Sequence, residues 1–452
     1  MQEHEGRGGF VEAARSRARA APAEPAERSF AARDAGLPER QPPRVVIENL
    51  EPQVDCGRFP IKRTVGEEVG VTADVHAEGH DVLAAVLLWR RAPAGEGAEW
   101  REVPMVPGPN DVWSARFRVS SLEPHEFTVE AWVDRFRTWR RGLERKAQAG
   151  QSVALELLEG AELVEAAATR AAGDDAARLR DAVLLLRSDA SQAERVEAAL
   201  DAELARLMAR WSERRDALRR EPPLADDVDR ERARFSSWYE LFPRSAAATP
   251  GTHGTFADVE RLLPYVAGMG FDVLYLPPIH PIGRVHRKGR NNSTEAAPDD
   301  TGSPWAIGSG EGGHTSIHPE LGTRADFARL VESARGHGLE VALDIAFQCA
   351  PDHPWVTEHP QWFRHRPDGS IQYAENPPKR YQDIYPIDFE TEDWRELWKA
   401  LMGVVDFWIG EGVKIFRVDN PHTKPYAFWE WLIAEVRRAH PEVFFLSEAF
   451  TR

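Results

Sequence analysis

Apolar and polar residues alternate in three stretches near the start of the chain, at residues 69–75, 113–119 and 127–133. Successive side chains of a strand point to opposite faces, so each stretch predicts a strand with one buried face. Turn-forming residues separate the stretches, as in VPGPND at 106–111. Several short strands at this spacing are typical of a β-sandwich, and we assign residues 44–145 to an immunoglobulin-like sandwich domain.

The period of the apolar positions becomes helical over residues 146–220. Leu200, Leu204, Leu207 and Trp211 fall on one helix face. This pattern predicts two or more antiparallel helices packed as a bundle inserted after the sandwich. Residues 1–43 carry few large apolar side chains, so we expect a disordered tail there.

From about residue 235 onward, short apolar runs alternate with amphipathic helical patterns. The predicted strands are 235–242, 271–279, 339–347, 413–420 and 443–450. The predicted helices are 255–270, 323–338, 391–412 and 424–440. The strands are apolar throughout, as in strands covered on both faces, so the pattern indicates a parallel α/β fold over residues 221–452.

Both a doubly wound sheet and a (β/α)8 barrel fit this alternation. Asp344, Asp419 and Glu448 end three different strands, at the edge where either fold binds ligands. We favour the barrel because no Gly-rich phosphate loop follows any strand. Only five strands are predicted where a barrel needs eight, so we expect a (β/α)8-type barrel present through about its fifth strand. Alone, such a piece is expected to expose strand edges and to have negligible activity.

Composition narrows the function classes. The formal net charge is -16, which argues against a nucleic-acid partner or an anionic membrane partner. The sequence has no long apolar run, no signal-peptide pattern and only two cysteines, so we expect a cytoplasmic protein.

No H-E-x-x-H motif occurs, so we expect no metal and no cofactor. We interpret His280, His353 and His422 as structural or site-lining residues, and Cys349 as a buried filler.

Two carboxylates beside one bond can act as nucleophile and general acid at a glycosidic centre. Arg417 is two residues before Asp419 and shares its strand face, so it can keep that carboxylate ionised and oriented. Apolar neighbours of Glu448 would raise its pKa toward that of a general acid. A plain Arg–Asp salt bridge at a strand end is the alternative, and spacing alone leaves it open.

Three stretches, GVKIFRVDN (412–420), FFLSEAF (444–450) and VALDIAF (341–347), resemble signature regions of the α-amylase superfamily. Within that superfamily, HPIGRVHRKGRNN (280–292) and NPPKRYQDIYPIDFE (376–390) resemble the α-1,4-glucan:maltose-1-phosphate maltosyltransferase family. The resemblance covers roughly residues 44–452. A typical amylase has Asn in place of Gln348 and His in place of Asn420–Pro421.

The resemblance implies a retaining enzyme that moves maltosyl from α-maltose 1-phosphate to an α-1,4-glucan. It implies Asp419 as nucleophile, Glu448 as general acid and then general base, and Arg417 as the residue that orients Asp419. It also implies a homodimer and a set of substrate-binding residues, namely Lys288, Gln348, Asn376, Lys379, Tyr381, Asp383 and Asn420. Two alternatives are an α-glucan hydrolase of the same superfamily and an inactive glucan-binding module.

Overall fold

The structure is a computed structural model that describes residues 42–92 and 99–448. The tail predicted at 1–43 therefore lies almost wholly outside the described residues. From Arg44 onward the chain forms one compact unit. None of the helices within the described ranges has both the length and the apolar character needed to cross a bilayer.

Ten strands lie in the described residues of the first part of this unit. They are β1 (Val45–Glu51), β2 (Ile61–Thr64), β3 (Glu68–Ala77), β4 (Leu83–Arg91), β5 (Arg101–Pro104), β6 (Val106–Pro107), β7 (Val112–Arg118), β8 (His125–Val133), β9 (Leu218–Arg219) and β10 (Leu224–Asp229). One sheet has the order β1-β3-β7-β6, and the other has the order β2-β10-β8-β4-β5 with β9 beside β8. Val71 and Phe117 of the first sheet pack with Leu87 and Phe127 of the second in one buried core. The two sheets and their shared core have the arrangement of a β-sandwich.

The predicted domain boundaries need correction at both ends of the bundle. Strand β10 pairs with β2 and with β8, so residues 224–229 belong to the sandwich and not to the barrel region predicted at 221–452. The sequence LADDVD hides this strand, because three acidic residues obscure the inward positions of Leu224 and Val228. The first helix of the bundle begins at Arg135, inside the predicted sandwich range of 44–145.

The bundle has five helices, α1 (Arg135–Gln148), α2 (Ala154–Arg170), α3 (Gly173–Arg187), α4 (Gln192–Ala199) and α5 (Ala202–Arg210). Leu204 and Leu207 are buried as predicted. Leu200 and Trp211 instead follow the last residues of α4 and α5. The chain breaks there because the Asp201 side chain accepts a hydrogen bond from the Leu204 amide and so begins a new helix.

The remaining elements follow in chain order. They are α6 (Glu231–Arg234), β11 (Trp238–Glu240), α7 (Phe256–Gly268), β12 (Val273–Leu276), α8 (Arg324–Gly336), β13 (Glu340–Ile345), β14 (Gln348–Cys349), α9 (Pro354–Glu358), β15 (Ala374–Asn376), β16 (Lys379–Tyr381), β17 (Tyr385–Pro386), α10 (Trp394–Gly410), β18 (Ile415–Val418), α11 (Tyr426–Ala439) and β19 (Phe444–Ser447). All five predicted strands and all four predicted helices of this part are present. The first strand is shorter than predicted, since Phe235 is highly exposed just after α6.

Five of these strands form a parallel sheet in the order β11-β12-β13-β18-β19, which is also their order in the chain. One face of the sheet packs on the helices, where Leu343 and Phe416 meet Phe327 and Trp408. The other face begins with a small apolar layer that includes Ala342 and Ile415. Because side chains repeat every second residue, this face continues to the polar residues at the carboxyl ends of the strands.

Candidate active site

The carboxyl ends of β13, β18 and β19 bring the three predicted acidic residues together. Asp344 in β13 and Arg417 in β18 are register partners in the parallel sheet. Asp419 follows β18 directly, and Glu448 follows β19 directly. Backbone hydrogen bonds hold both residues in place. The amide of Asp419 donates to the carbonyl of Ile345 at 2.9 Å, and the amide of Glu448 donates to the carbonyl of Val418 at 3.0 Å.

Arg417 is the common partner of all three carboxylates. Its Nη1 donates to Asp344 Oδ2 at 2.9 Å and to Asp419 Oδ1 at 3.0 Å. Its Nη2 lies 2.8 Å from Glu448 Oε2. A guanidinium is planar and carries several donors in fixed directions, so it holds the carboxylates in one arrangement that a lysine could not reproduce.

Asp344 is almost fully buried beneath this cluster. The hydroxyl of Tyr275 donates a hydrogen bond to the same oxygen that accepts from Arg417, and the other oxygen has no partner within the described ranges. Burial raises the pKa of Asp344 to about 7, although the hydrogen bond from Tyr275 and the charge of Arg417 oppose the shift. Tyr275 had no place in the sequence-based site, because nothing in its strand marks it as polar-facing.

The electrostatics of Asp419 differ from the sequence-based expectation. Burial raises the pKa of Asp419, and a hydrogen bond with Glu448 raises it further. Lys424 and Arg417 both lower it, but burial outweighs them. The spacing of the two residues suggests that Arg417 sets the charge of this carboxylate. Burial and Lys424 also act on it, so Arg417 alone does not set that charge.

The surroundings of Glu448 also differ from the expectation. Its side chain is 32% exposed and bonds to a guanidinium, and its neighbour Leu446 is 47% exposed. The predicted neighbours at 449 and 450 lie outside the described residues. The described part of this segment therefore does not give Glu448 the apolar pocket that the sequence predicted.

Asn420 adopts a left-handed backbone conformation with φ 45°. Asparagine tolerates this region better than most residues with a side chain. The conformation lets its amide donate to Glu448 Oε2 at 3.3 Å, while its side-chain amide donates to Asp419 Oδ2 at 3.3 Å. Asn420 thus contacts both candidate catalytic carboxylates.

A cleft of about 640 Å³ opens above Asp419. It is lined by five of the predicted site residues, namely Gln348, Asn376, Tyr381, Asp419 and Asn420. Trp305, Phe347 and Phe389 add aromatic surface to its wall, of the kind on which sugar rings pack. The size and lining suit a disaccharide-sized ligand.

The other predicted binding residues lie around this cleft. Lys379 pairs with Asn376 across the β15–β16 hairpin and is exposed. Lys288 is buried, and its Nζ donates to Gln382 Oε1 at 2.6 Å. Asp383 is buried with its Oδ1 unpartnered in the described structure, and burial raises its pKa. Through its bond to Gln382, Lys288 lies beside the segment that carries Asp383, and its charge acts on the Asp383 carboxylate.

A buried histidine pair lies behind the cleft and could resemble a metal centre. His314, Cys349 and His353 place ligand atoms within 4.8 Å of one another. However, His314 Nε2 lies 3.0 Å from the Ala346 carbonyl, and its Nδ1 lies 3.1 Å from His353 Nε2. The Trp355 amide donates to His353 Nδ1. These hydrogen bonds use all four ring nitrogens, with each ring protonated on Nε2. The hydrogen bonds therefore account for the burial of both histidines, which we interpret as structural residues.

Residues 43–230 match the family described as α-1,4-glucan:maltose-1-phosphate maltosyltransferase, domain N/S, and residues 240–398 match the α-amylase catalytic domain. An α-1,4-glucan:maltose-1-phosphate maltosyltransferase of Chlorobaculum tepidum is 56% identical over 409 residues, covering 90% of this chain and 60% of the relative. One from Cereibacter sphaeroides is 52% identical over 420 residues, covering 90% of this chain and 68% of the relative.

Among solved structures, an α-amylase from Lactobacillus plantarum is 33% identical over 47% of this chain and 45% of its own, with a TM-score of 0.39. The chain spans about 60% of the length of the Chlorobaculum tepidum relative named above. High identity over nine-tenths of the chain nevertheless fixes its family. The chain belongs to the α-1,4-glucan:maltose-1-phosphate maltosyltransferase family.

Proposed function

We propose that this protein transfers maltosyl from α-maltose 1-phosphate to the non-reducing end of an α-1,4-glucan and releases phosphate. The observation that carries the proposal is the shared guanidinium, through which Arg417 holds Asp419 and Glu448 side by side at the base of the cleft. The names of the relatives supply the donor and the reaction class. No metal or cofactor takes part in the proposed reaction.

The proposed chemistry has two displacements. Asp419 attacks C1 of the donor while Glu448 donates a proton to the departing phosphate oxygen. The bond from C1 to that oxygen breaks, and the product of this step is a covalent maltosyl-Asp419. Glu448 then removes the proton of the acceptor 4-hydroxyl as that oxygen attacks C1, and the bond between C1 and Asp419 breaks to restore the free carboxylate. Two inversions give net retention, which requires carboxyl groups close together. In support, Asp419 and Glu448 lie 3.0 Å and 2.8 Å from the same guanidinium.

The phosphate of the donor needs cationic and amide donors. Asn376, Lys379 and Tyr381 lie together on the β15–β16 hairpin, and Asn420 lies opposite in the cleft wall. We propose that these four residues bind the phosphate. Gln348 lines the cleft and Lys288 and Asp383 lie around it, where we propose that they bind the sugar hydroxyls.

The larger architecture is also part of the proposal. We infer that the five-stranded parallel sheet is the first part of a (β/α)8 barrel, because its strands follow chain order and its polar residues gather at their carboxyl ends.

Leu155 and Leu184, which are 66% and 69% exposed on the helical bundle, support a homodimer. A cytoplasmic location, without nucleic-acid or membrane partners, is in keeping with two free cysteines and the acidic charge.

The reaction is tested by incubating the complete protein with α-maltose 1-phosphate and glycogen. We expect free phosphate to be released in step with glucan extension, and Asp419→Ala to abolish both. Free maltose without extension would instead indicate a hydrolase. Glucan binding that survives Asp419→Ala, with no turnover in the wild type, would indicate a binding module.

A further inference from the structure

Lys424 is a charged residue of this site to which the sequence alone assigns no role. It follows the short turn Pro421–Thr423 and precedes α11, and its side chain folds back beneath the nucleophile. Its Nζ donates to the carbonyl of Asp419 at 3.3 Å and to the carbonyl of Asn420 at 3.2 Å. Lysine is among the residues least often buried, yet this side chain is only 8% exposed.

The two carbonyls explain why a cation is present at this position. The left-handed conformation of Asn420 brings its carbonyl and that of Asp419 close enough for one ammonium to bond both. The Thr423 hydroxyl also donates to the Asn420 carbonyl, at 2.8 Å. The backbone that carries the candidate nucleophile is therefore held in place by its own downstream turn.

The ammonium also balances charge in the site. Three carboxylates face it, those of Asp419, Asp344 and Glu448, and each stabilises its charged form. Among the described residues, Arg417 is the cation that pairs directly with all three of these carboxylates. With Lys424 neutral, a single guanidinium would oppose three acidic groups as an anionic phosphate donor approached.

Burial opposes the ammonium more strongly than the carboxylates favour it. It lowers the pKa of Lys424 to about 8, whereas the carboxylates of Asp419, Asp344 and Glu448 raise it. An arginine at this position would stay charged at all working pH values. The two side chains therefore differ in a way that a pH profile can resolve.

We propose that Lys424 is a positioning residue for the nucleophile, whose ammonium holds the main chain of Asp419 and Asn420 and offsets the acidic cluster when the phosphorylated donor binds. The inference rests on the proposed function for its second half only. The anchoring of the two carbonyls is a property of the free protein and is tested without turnover.

The kinetic experiment compares Lys424→Met and Lys424→Arg with the wild type in the complete protein. Lys399→Met serves as the control, because Lys399 is exposed on α10 and pairs only with Glu396 among the described residues. Phosphate release from α-maltose 1-phosphate is followed from pH 6 to pH 10. We expect Lys424→Met to lower kcat/KM roughly 10- to 100-fold, the range for one charged hydrogen bond.

The pH profile separates positioning from a general structural role. Wild-type kcat/KM is expected to fall as pH rises through about 8, where the ammonium loses its proton. Lys424→Arg should retain its activity above that pH, because the guanidinium stays charged. A Lys424→Met enzyme with wild-type kcat/KM and an unchanged alkaline limb would overturn the charge-balancing role.

Hydrogen exchange tests the anchoring independently of turnover. The amides of Asn420 and Thr423 should exchange at least several-fold faster in Lys424→Met than in the wild type or in Lys399→Met. Unchanged exchange at both amides would overturn the anchoring role. A wild type that releases no phosphate would count against the proposed function alone, since the exchange result does not depend on it.

Discussion

Asp226 in β10 is fully buried in the sandwich core, and neither of its carboxylate oxygens has a hydrogen-bond partner among the described residues. Its cross-strand neighbour in β8, His125, is also buried with both ring nitrogens unpartnered in that part of the chain. Burial raises the pKa of Asp226 to about 7. We predict that Asp226→Asn stabilises the sandwich at neutral and alkaline pH.

The size of the effect follows from linkage between protonation and folding. The pKa of this group is raised in the folded state, so its contribution to stability is fully present below the unfolded pKa and is lost as pH rises through about 7. A shift of about three units corresponds to about 4 kcal/mol at pH 8, and about 1.5 kcal/mol of that cost is present at pH 5. Asparagine has a similar shape and carries no charge, so it removes this cost.

Native-state hydrogen exchange of the β8 and β10 amides measures the stability of the sandwich itself, apart from the other domains. Asp226→Asn should exceed the wild type by about 4 kcal/mol at pH 8, and the gain should shrink toward pH 5. Asp227→Asn is the matched control, because Asp227 is partly exposed and lies 3.8 Å from Arg437. Equal stability of Asp226→Asn and the wild type at pH 8, or an equal gain from the control, would show that the buried charge of Asp226 does not destabilise the sandwich.

Two further predictions concern the catalytic region. Gly308→Ala should destabilise the protein by about 2 kcal/mol or more in urea unfolding, because its φ is +100° and an added Cβ would overlap the His353 ring. Gly310→Ala, where a Cβ meets open space, should change stability by less than about 1 kcal/mol, and equal losses in both variants would contradict the steric argument. Arg417→Lys should lower kcat/KM at least about 10-fold in the phosphate-release assay, since one ammonium cannot bond three carboxylates in fixed directions, and wild-type kinetics would show that the guanidinium is not needed.

Local patterns predicted the elements around the site well. The apolar runs ending in Asp344, Asp419 and Glu448 marked three strands whose carboxyl ends do meet. The two-residue spacing of Arg417 and Asp419 correctly indicated contact, because side-chain direction in a strand repeats every second residue.

The features that were missed depend on contacts between distant segments. Strand β10 looked too acidic to be a core strand, and only its pairing with β2 and β8 shows where it belongs. No local pattern marks Lys424 as buried, since its burial depends on the turn that precedes it. The raised pKa of Asp419 reflects burial by the whole cleft, which spacing within one strand cannot reveal.

In the proposed reaction, Asp419 forms a covalent bond to the donor sugar. It is tested by incubating the complete protein with 2-deoxy-2-fluoro-α-maltosyl fluoride, whose fluorine at C2 slows both displacements while the fluoride leaving group favours the first. Peptide mass spectrometry should then find the sugar on Asp419, and Asp419→Asn should remain unlabelled. A label on a different residue, or no label on a protein that turns over α-maltose 1-phosphate, would show that Asp419 is not the nucleophile.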